Sequence, residues 1–162
     1  MSQDSPPNKT RRRWIVRVLV LAAVVYGVWQ LVGLHVNEPA GPATPAQAQE
    51  YTGVPVPAEA KNIRIAGYRQ WIEFANYVRF EAPVDVCLKY AGAVAPGTAL
   101  QPVDEYQLER DARPIRENVL KNFGWYDLAK AKNVVGAGGT PGQMAQVWVD
   151  QDRGVFYFRK TD

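Results

Sequence analysis

The chain has 162 residues, with 19 Lys and Arg against 16 Asp and Glu, one His and one Cys. A single cysteine excludes an intrachain disulfide, and a single histidine, at position 35, leaves no pair for His-based metal or proton-transfer chemistry. The formal charge of +3 is local: residues 1–17 hold five basic side chains and one acidic, while residues 50–162 hold fourteen of each, so the larger part presents no basic field for nucleic acid.

Lys9, Arg11, Arg12 and Arg13 run directly into an apolar segment, Trp14–Leu34, in which Gln30 is the only clearly polar side chain from Val18 onward. At ~1.5 Å per residue this segment is ~31 Å long as a helix, about one hydrocarbon core. The reading is an uncleaved signal anchor. Residues 1–13 form a basic cytoplasmic tail, residues 14–34 a single transmembrane helix, and the chain beyond is exported. Arg17 lies near the cytoplasmic end, where its side chain reaches the headgroups. Trp14, Tyr26 and Trp29 suit the two interfaces. Two features favour a removable export signal instead. Ala46-Gln47-Ala48 has a small-x-small cleavage pattern, and Thr10–Trp14 resembles a twin-arginine signal. Against them stand the length of the apolar run and the polar, Pro-rich stretch that separates it from Ala48.

Residues 35–60 read as a linker, because Pro39, Pro42, Pro45, Pro55 and Pro57 are interleaved with Ala, Gly and Gln. Fully extended, such a spacer reaches ~80 Å at ~3.1 Å per residue. Residues 61–162 form one exported domain. Its 14 aromatic residues argue against disorder.

Within that domain Ile63 and Ile65 alternate with Arg64 and Ala66, a short strand, and Gly67 offers a bend. Trp71–Phe80 alternates again, with Ile72, Phe74, Val78 and Phe80 on one face and Trp71, Glu73, Tyr77 and Arg79 on the other. Pro83 and Asp85 suit the start of a helix whose apolar stripe is Val84, Cys87, Leu88 and Ala91. Ala95–Pro102 reads as a loop, Asp104–Arg110 as a short helix, and Ile115–Phe123 as a second helical piece stopped by Gly124. Gln146–Asp150 and Val155–Lys160 form a terminal hairpin with large side chains on both faces, so the pattern does not choose a core face. The order predicts an α+β domain: an antiparallel sheet of about four strands, in two hairpins, packed by helices on one face.

The exported domain has neither histidine nor serine, since His35 lies at the membrane boundary and Ser2 and Ser5 in the tail. Serine triads, Cys–His dyads and His/Cys zinc sites are therefore excluded within one chain. Cys87 falls on the apolar stripe and reads as a core residue. Asp150–Gly154 lacks the third acid and closing glutamate of a calcium loop and reads as a turn. Gly136–Gly142 has Pro141 where a dinucleotide loop needs its sixth position, and reads as a mobile loop.

These observations point to a membrane-anchored bacterial envelope protein, non-catalytic, acting as a protein-interaction or accessory module. The expected place is the inner membrane, with the N-terminus inside and the C-terminal domain exported to the periplasm or cell exterior. The arrangement looks like the general style of small bacterial envelope domains, with no motif that transfers residues from a family. The expected partners are the membrane and another envelope or membrane protein, with no cofactor, no metal and no nucleic acid. Tyr68, Arg69, Trp71, Tyr77 and Arg79 are the candidate contacts, because aromatic and Arg side chains dominate binding hot spots. The alternative is an exported domain that binds a small ligand or lipid between sheet and helices.

Overall fold

A computed structural model describes residues 9–33, 37–70, 73–109, 124–138 and 145–161; of residues 9–13, 29–33, 37–39, 68–70 and 73 it describes the backbone alone. The chain divides into two compact units, Met1–His35 and Val36–Asp162.

The first unit contains one helix, α1 (Lys9–Gly33), 25 residues long. Its described side chains run from 14 to 28, and large apolar ones among them are exposed, including the four consecutive residues Val18, Leu19, Val20 and Leu21. Among the described residues no helix is long and apolar enough to cross a membrane.

The second unit is α+β. It has a seven-stranded antiparallel sheet in the order β1-β2-β3-β7-β6-β5-β4. In chain order its elements are β1 (Asn37–Pro42), α2 (Pro45–Thr52), β2 (Lys61–Gln70), β3 (Glu73–Glu81), α3 (Val84–Val94), β4 (Gln101–Val103), a 3-10 turn (Leu128–Lys130), β5 (Val134–Ala137), β6 (Ala145–Asp150) and β7 (Val155–Thr161). With α1 and the 3-10 turn, four helices lie wholly among the described residues. Residues 105–109 form a further helical turn, opened by Asp104, whose carboxylate accepts from the Gln107 amide at 2.7 Å.

Seven strands replace the expected four. β2, β3, β6 and β7 are the two anticipated hairpins, and Gly67 continues β2 rather than bending it, paired with Asn76. Trp71 and Ile72, expected in the second strand, and Ile115–Phe123, expected as a helix, lie outside the described residues. The added strands β1, β4 and β5 are short or rich in Pro and Gly.

The segment expected as a spacer is folded from residue 37. Pro39 and Pro42 are tolerated in β1 because it is an edge strand, where a missing N–H breaks no inner ladder. α2 has a capping box: the Thr44 hydroxyl accepts from the Gln47 amide while the Gln47 side chain accepts from the Thr44 amide. It closes on Gly53 in the left-handed region, φ 75°.

Helices on one face are only half of the packing. One face carries Ile63, Ile65, Val78, Phe80, Val147, Val149, Phe156 and Phe158 beneath α2 and α3, which contribute Ala48, Cys87, Tyr90 and Ala91. There Phe80 stacks on Phe156 at 4.9 Å, and Tyr90 meets both rings edge-on. The other face carries Ala66, Tyr77, Trp148, Val155 and Tyr157, covered by Leu108 of the 105–109 helical turn, Tyr126, and Leu128 of the 3-10 turn. Large side chains on both faces of the β6–β7 hairpin follow from this double burial. Each fully buried aromatic contributes about 2–3 kcal/mol through apolar area removed from water.

Candidate functional site

Among the described residues, the densest group of interacting polar side chains lies on the second face, where β3, β6 and β7 meet the chain at 126–128. Arg79 of β3 and Tyr157 of β7 are register partners, so period-2 alternation puts both on this face. Asp127 precedes the 3-10 turn and is brought over them by its buried neighbours Tyr126 and Leu128. Tyr126 meets Tyr77 and Tyr157 edge-on, and its hydroxyl donates to the Phe158 carbonyl at 3.2 Å.

Asp127 accepts three donors: Tyr157 Oη at 2.6 Å, Arg153 at 2.5 Å and Arg79 Nε at 3.3 Å. Arg153 also donates Nε to Asp150 at 2.5 Å and a terminal nitrogen to the Tyr157 hydroxyl at 2.9 Å. Asp150, buried at the end of β6, accepts in addition from the amides of Asp152 and Arg153, fixing the 150–154 turn. Arg79 extends the network to Glu81 at 2.9 Å, and Glu81 accepts from Asn62 at 2.7 Å. Asn62 has a positive φ of 51°, a conformation asparagine tolerates, beside the register shift in β2.

The charges compensate one another. Burial pushes the Asp127 carboxyl up, but hydrogen bonds from Tyr157 and Arg153 and the charges of Arg153 and Arg79 outweigh it and hold the group below the usual range. Glu81 is likewise held low, first by Asn62 and then by Arg79, against the opposing effect of burial. Burial acts against the charge of both guanidiniums. Glu81 and Asp127 nonetheless raise Arg79, and Asp150 and Asp127 raise Arg153. The Tyr157 hydroxyl is pushed up by burial and by the Asp127 charge it faces. A carboxylate with three donors and two carboxylate-paired arginines make a clamp.

Of the sequence candidates, Tyr77 and Arg79 are both buried, Tyr77 against Tyr126 and Arg79 in the clamp. Tyr68 and Arg69 lie on β2, with their side chains outside the described residues, and Trp71 lies wholly outside them. The sequence does not mark Asp127, Asp150, Arg153 and Tyr157 as one site, because they come from the segment before the 3-10 turn, the end of β6, the β6–β7 turn and β7. Only the Asp150–Gly154 turn marked two of them.

Cys87 is fully buried on α3, its thiol directed at the Ala82 carbonyl at 3.6 Å and pushed up to about 11 by burial. Gly136 sits under Trp148; a Cβ there meets the indole Cδ1 at 2.8 Å, so close packing accounts for this glycine. Among the described residues no group of three His, Cys, Asp or Glu side chains is placed to hold a metal ion. A cavity of about 930 Å³ has Leu108, Tyr126, Asp127 and Lys130 in its wall. No protein-family model, no curated protein and no solved structure matches this chain.

Proposed function

We propose that this chain is a single-pass, membrane-anchored envelope protein, with its N-terminus in the cytoplasm and its folded domain exported. The domain serves as a non-catalytic protein-interaction or accessory module. The observation that carries the reading is the exposure of Val18, Leu19, Val20 and Leu21 on α1. At ~100° per residue four successive positions point around the whole helix. A helix apolar on every side needs an apolar surrounding on every side, which lipid supplies. The described side chains of α1 are too few for a span by themselves, and the sequence continues the run through Trp29, Leu31, Val32 and Leu34. The basic cluster Lys9–Arg13 favours retention of that end in the cytoplasm.

The domain's chemistry supports the second half. Residues 61–162 contain no serine or histidine, and the carboxylates of the polar cluster are committed to arginines and Tyr157. A tether raises the local concentration of such a module for partners at the same membrane.

Three measurements test this. The chain should stay with membranes through alkaline carbonate extraction. Its domain should be digested by protease added to spheroplasts, and crosslinking in intact cells should give an adduct heavier than the monomer. Release by carbonate, or protection until lysis, overturns the anchor. Monomer alone after crosslinking overturns the interaction role.

A further inference from the structure

We infer that β1 is a placeholder on the edge of β2, displaced when an extended, acidic, proline-free segment of another envelope protein adds to the sheet there. β1 is a poor strand by composition: of Asn37–Pro42, Pro39 and Pro42 have no amide hydrogen and Gly41 no side chain. Its register is broken between Glu38 and Gly41, leaving four residue pairs, to Arg64, Ile65, Gly67 and Tyr68. Its described side chains, Ala40 and Pro42, are exposed and bury nothing in the core.

β2 is the opposite. It has ten residues without proline, carries Ile63, Ile65 and Ala66 in the two cores, and pairs along its length with β3. Among the described residues, none of the preceding chain lies opposite Arg69 and Gln70. A long strand whose edge is covered by a weaker one is a template for strand addition.

Charge selects the occupant. Lys61, Arg64 and Arg69 are the only charged residues of β2, and Glu38 is the only one of β1. Two copies meeting through β2 bring basic strands together and displace two β1 segments for one new ladder. An acidic foreign strand displaces one and finds opposite charge. The inference rests on the reading of the domain as an interaction module and adds where and what it binds.

The test uses the full chain in detergent micelles and a fluorescent peptide of residues 36–43 in which Pro39 and Pro42 are replaced by Thr. An Asn37→Cys/Tyr68→Cys variant, at a register pair that keeps all three cations of β2, provides a lock between β1 and β2, its closure checked by mass. The peptide should bind the reduced variant at least about tenfold more tightly than the oxidised one, and the unsubstituted peptide should bind at least about tenfold more weakly. Hydrogen exchange should place new protection in Lys61–Gln70. Should the lock not close, Glu38→Cys/Gly67→Cys serves the same purpose. Absence of binding to the reduced protein, binding indifferent to the lock, or protection elsewhere overturns the proposal. A dimer of the reduced variant joined through β2 overturns the choice of occupant. Because the assay uses purified protein and a synthetic strand, it can fail while carbonate extraction and cell crosslinking succeed.

Discussion

Tyr157 donates its hydroxyl hydrogen to Asp127 across 2.6 Å, tying an inner strand of the sheet to irregular chain on its second face. The same carboxylate neutralises Arg79, whose side chain is only 10 % exposed. Asp127→Ala leaves that guanidinium with Glu81 as its one carboxylate partner and removes the acceptor of the tyrosine hydroxyl. The expected loss is roughly 2–4 kcal/mol, as for a broken, largely buried ion pair. Tyr157→Phe leaves Asp127 two donors and should cost about 1–2 kcal/mol. Equilibrium unfolding of the full chain in detergent, followed by tryptophan fluorescence, measures both, and the order of the two effects is the decisive result.

Stability should fall at both ends of the pH scale for different reasons. Asp127 and Glu81 titrate lower in the folded protein than unfolded, so their contribution is whole above ordinary carboxylate values, about 4, and is lost as pH drops through the lower folded values. Cys87 and Tyr157 titrate higher folded than unfolded. Their contribution is whole below the unfolded values and is lost as pH rises, for Cys87 between 9.0 and about 11. Thermal midpoints should therefore show a plateau from about pH 5 to 9. Asp127→Asn should flatten the acid limb, and Cys87→Ala the alkaline one.

The thiol of Cys87 should be unreactive in the folded protein. It is fully buried and its ionisation is suppressed. At pH 8 a disulfide-exchange reagent should label it only after denaturant is added, because the thiolate is the attacking species. Fast labelling of the native protein at one equivalent would show that α3 opens.

Glycines separate backbone strain from crowding. Gly53 has φ 75° with open space around it, so Gly53→Ala should cost about 1 kcal/mol from conformation alone. Gly154 has φ 63° and an added Cβ meets the Ala82 carbonyl oxygen at 2.4 Å, so Gly154→Ala should cost roughly 2–4 kcal/mol. Gly41, with nothing among the described residues within 4 Å and no positive φ, serves as the neutral comparison. Denaturation midpoints rank the three.

The elements that could be read from sequence are those buried through a regular stripe. α3 shows its apolar positions at helical spacing, and β3 alternates. β6 and β7 announce themselves by β-rich composition, but their face could not be chosen because Val147 and Phe158 serve one core and Trp148 and Tyr157 the other. β4 and β5 have three and four residues, too few for alternation to show. β1 was hidden by its prolines, which mark an edge as readily as a spacer. α2 lacks an apolar stripe, yet Thr44-Pro45-Ala46-Gln47 carries the cap signature that betrays its start. The clamp could not be read because Arg79, Asp127 and Arg153 are joined only by the tertiary fold.

The burial of Ala48 bears on the small-x-small pattern at Ala46-Gln47-Ala48. This residue, 0 % exposed, sits in the middle of α2 and plugs the first core. A peptidase acting at Ala46-Gln47-Ala48 would need that stretch pulled straight, and in the finished fold it is helical and Ala48 is buried. Cutting earlier, on the nascent chain, discards all of β1 and the capped half of α2, and the mature product would start life with a raw sheet margin and a hole where a methyl group belongs.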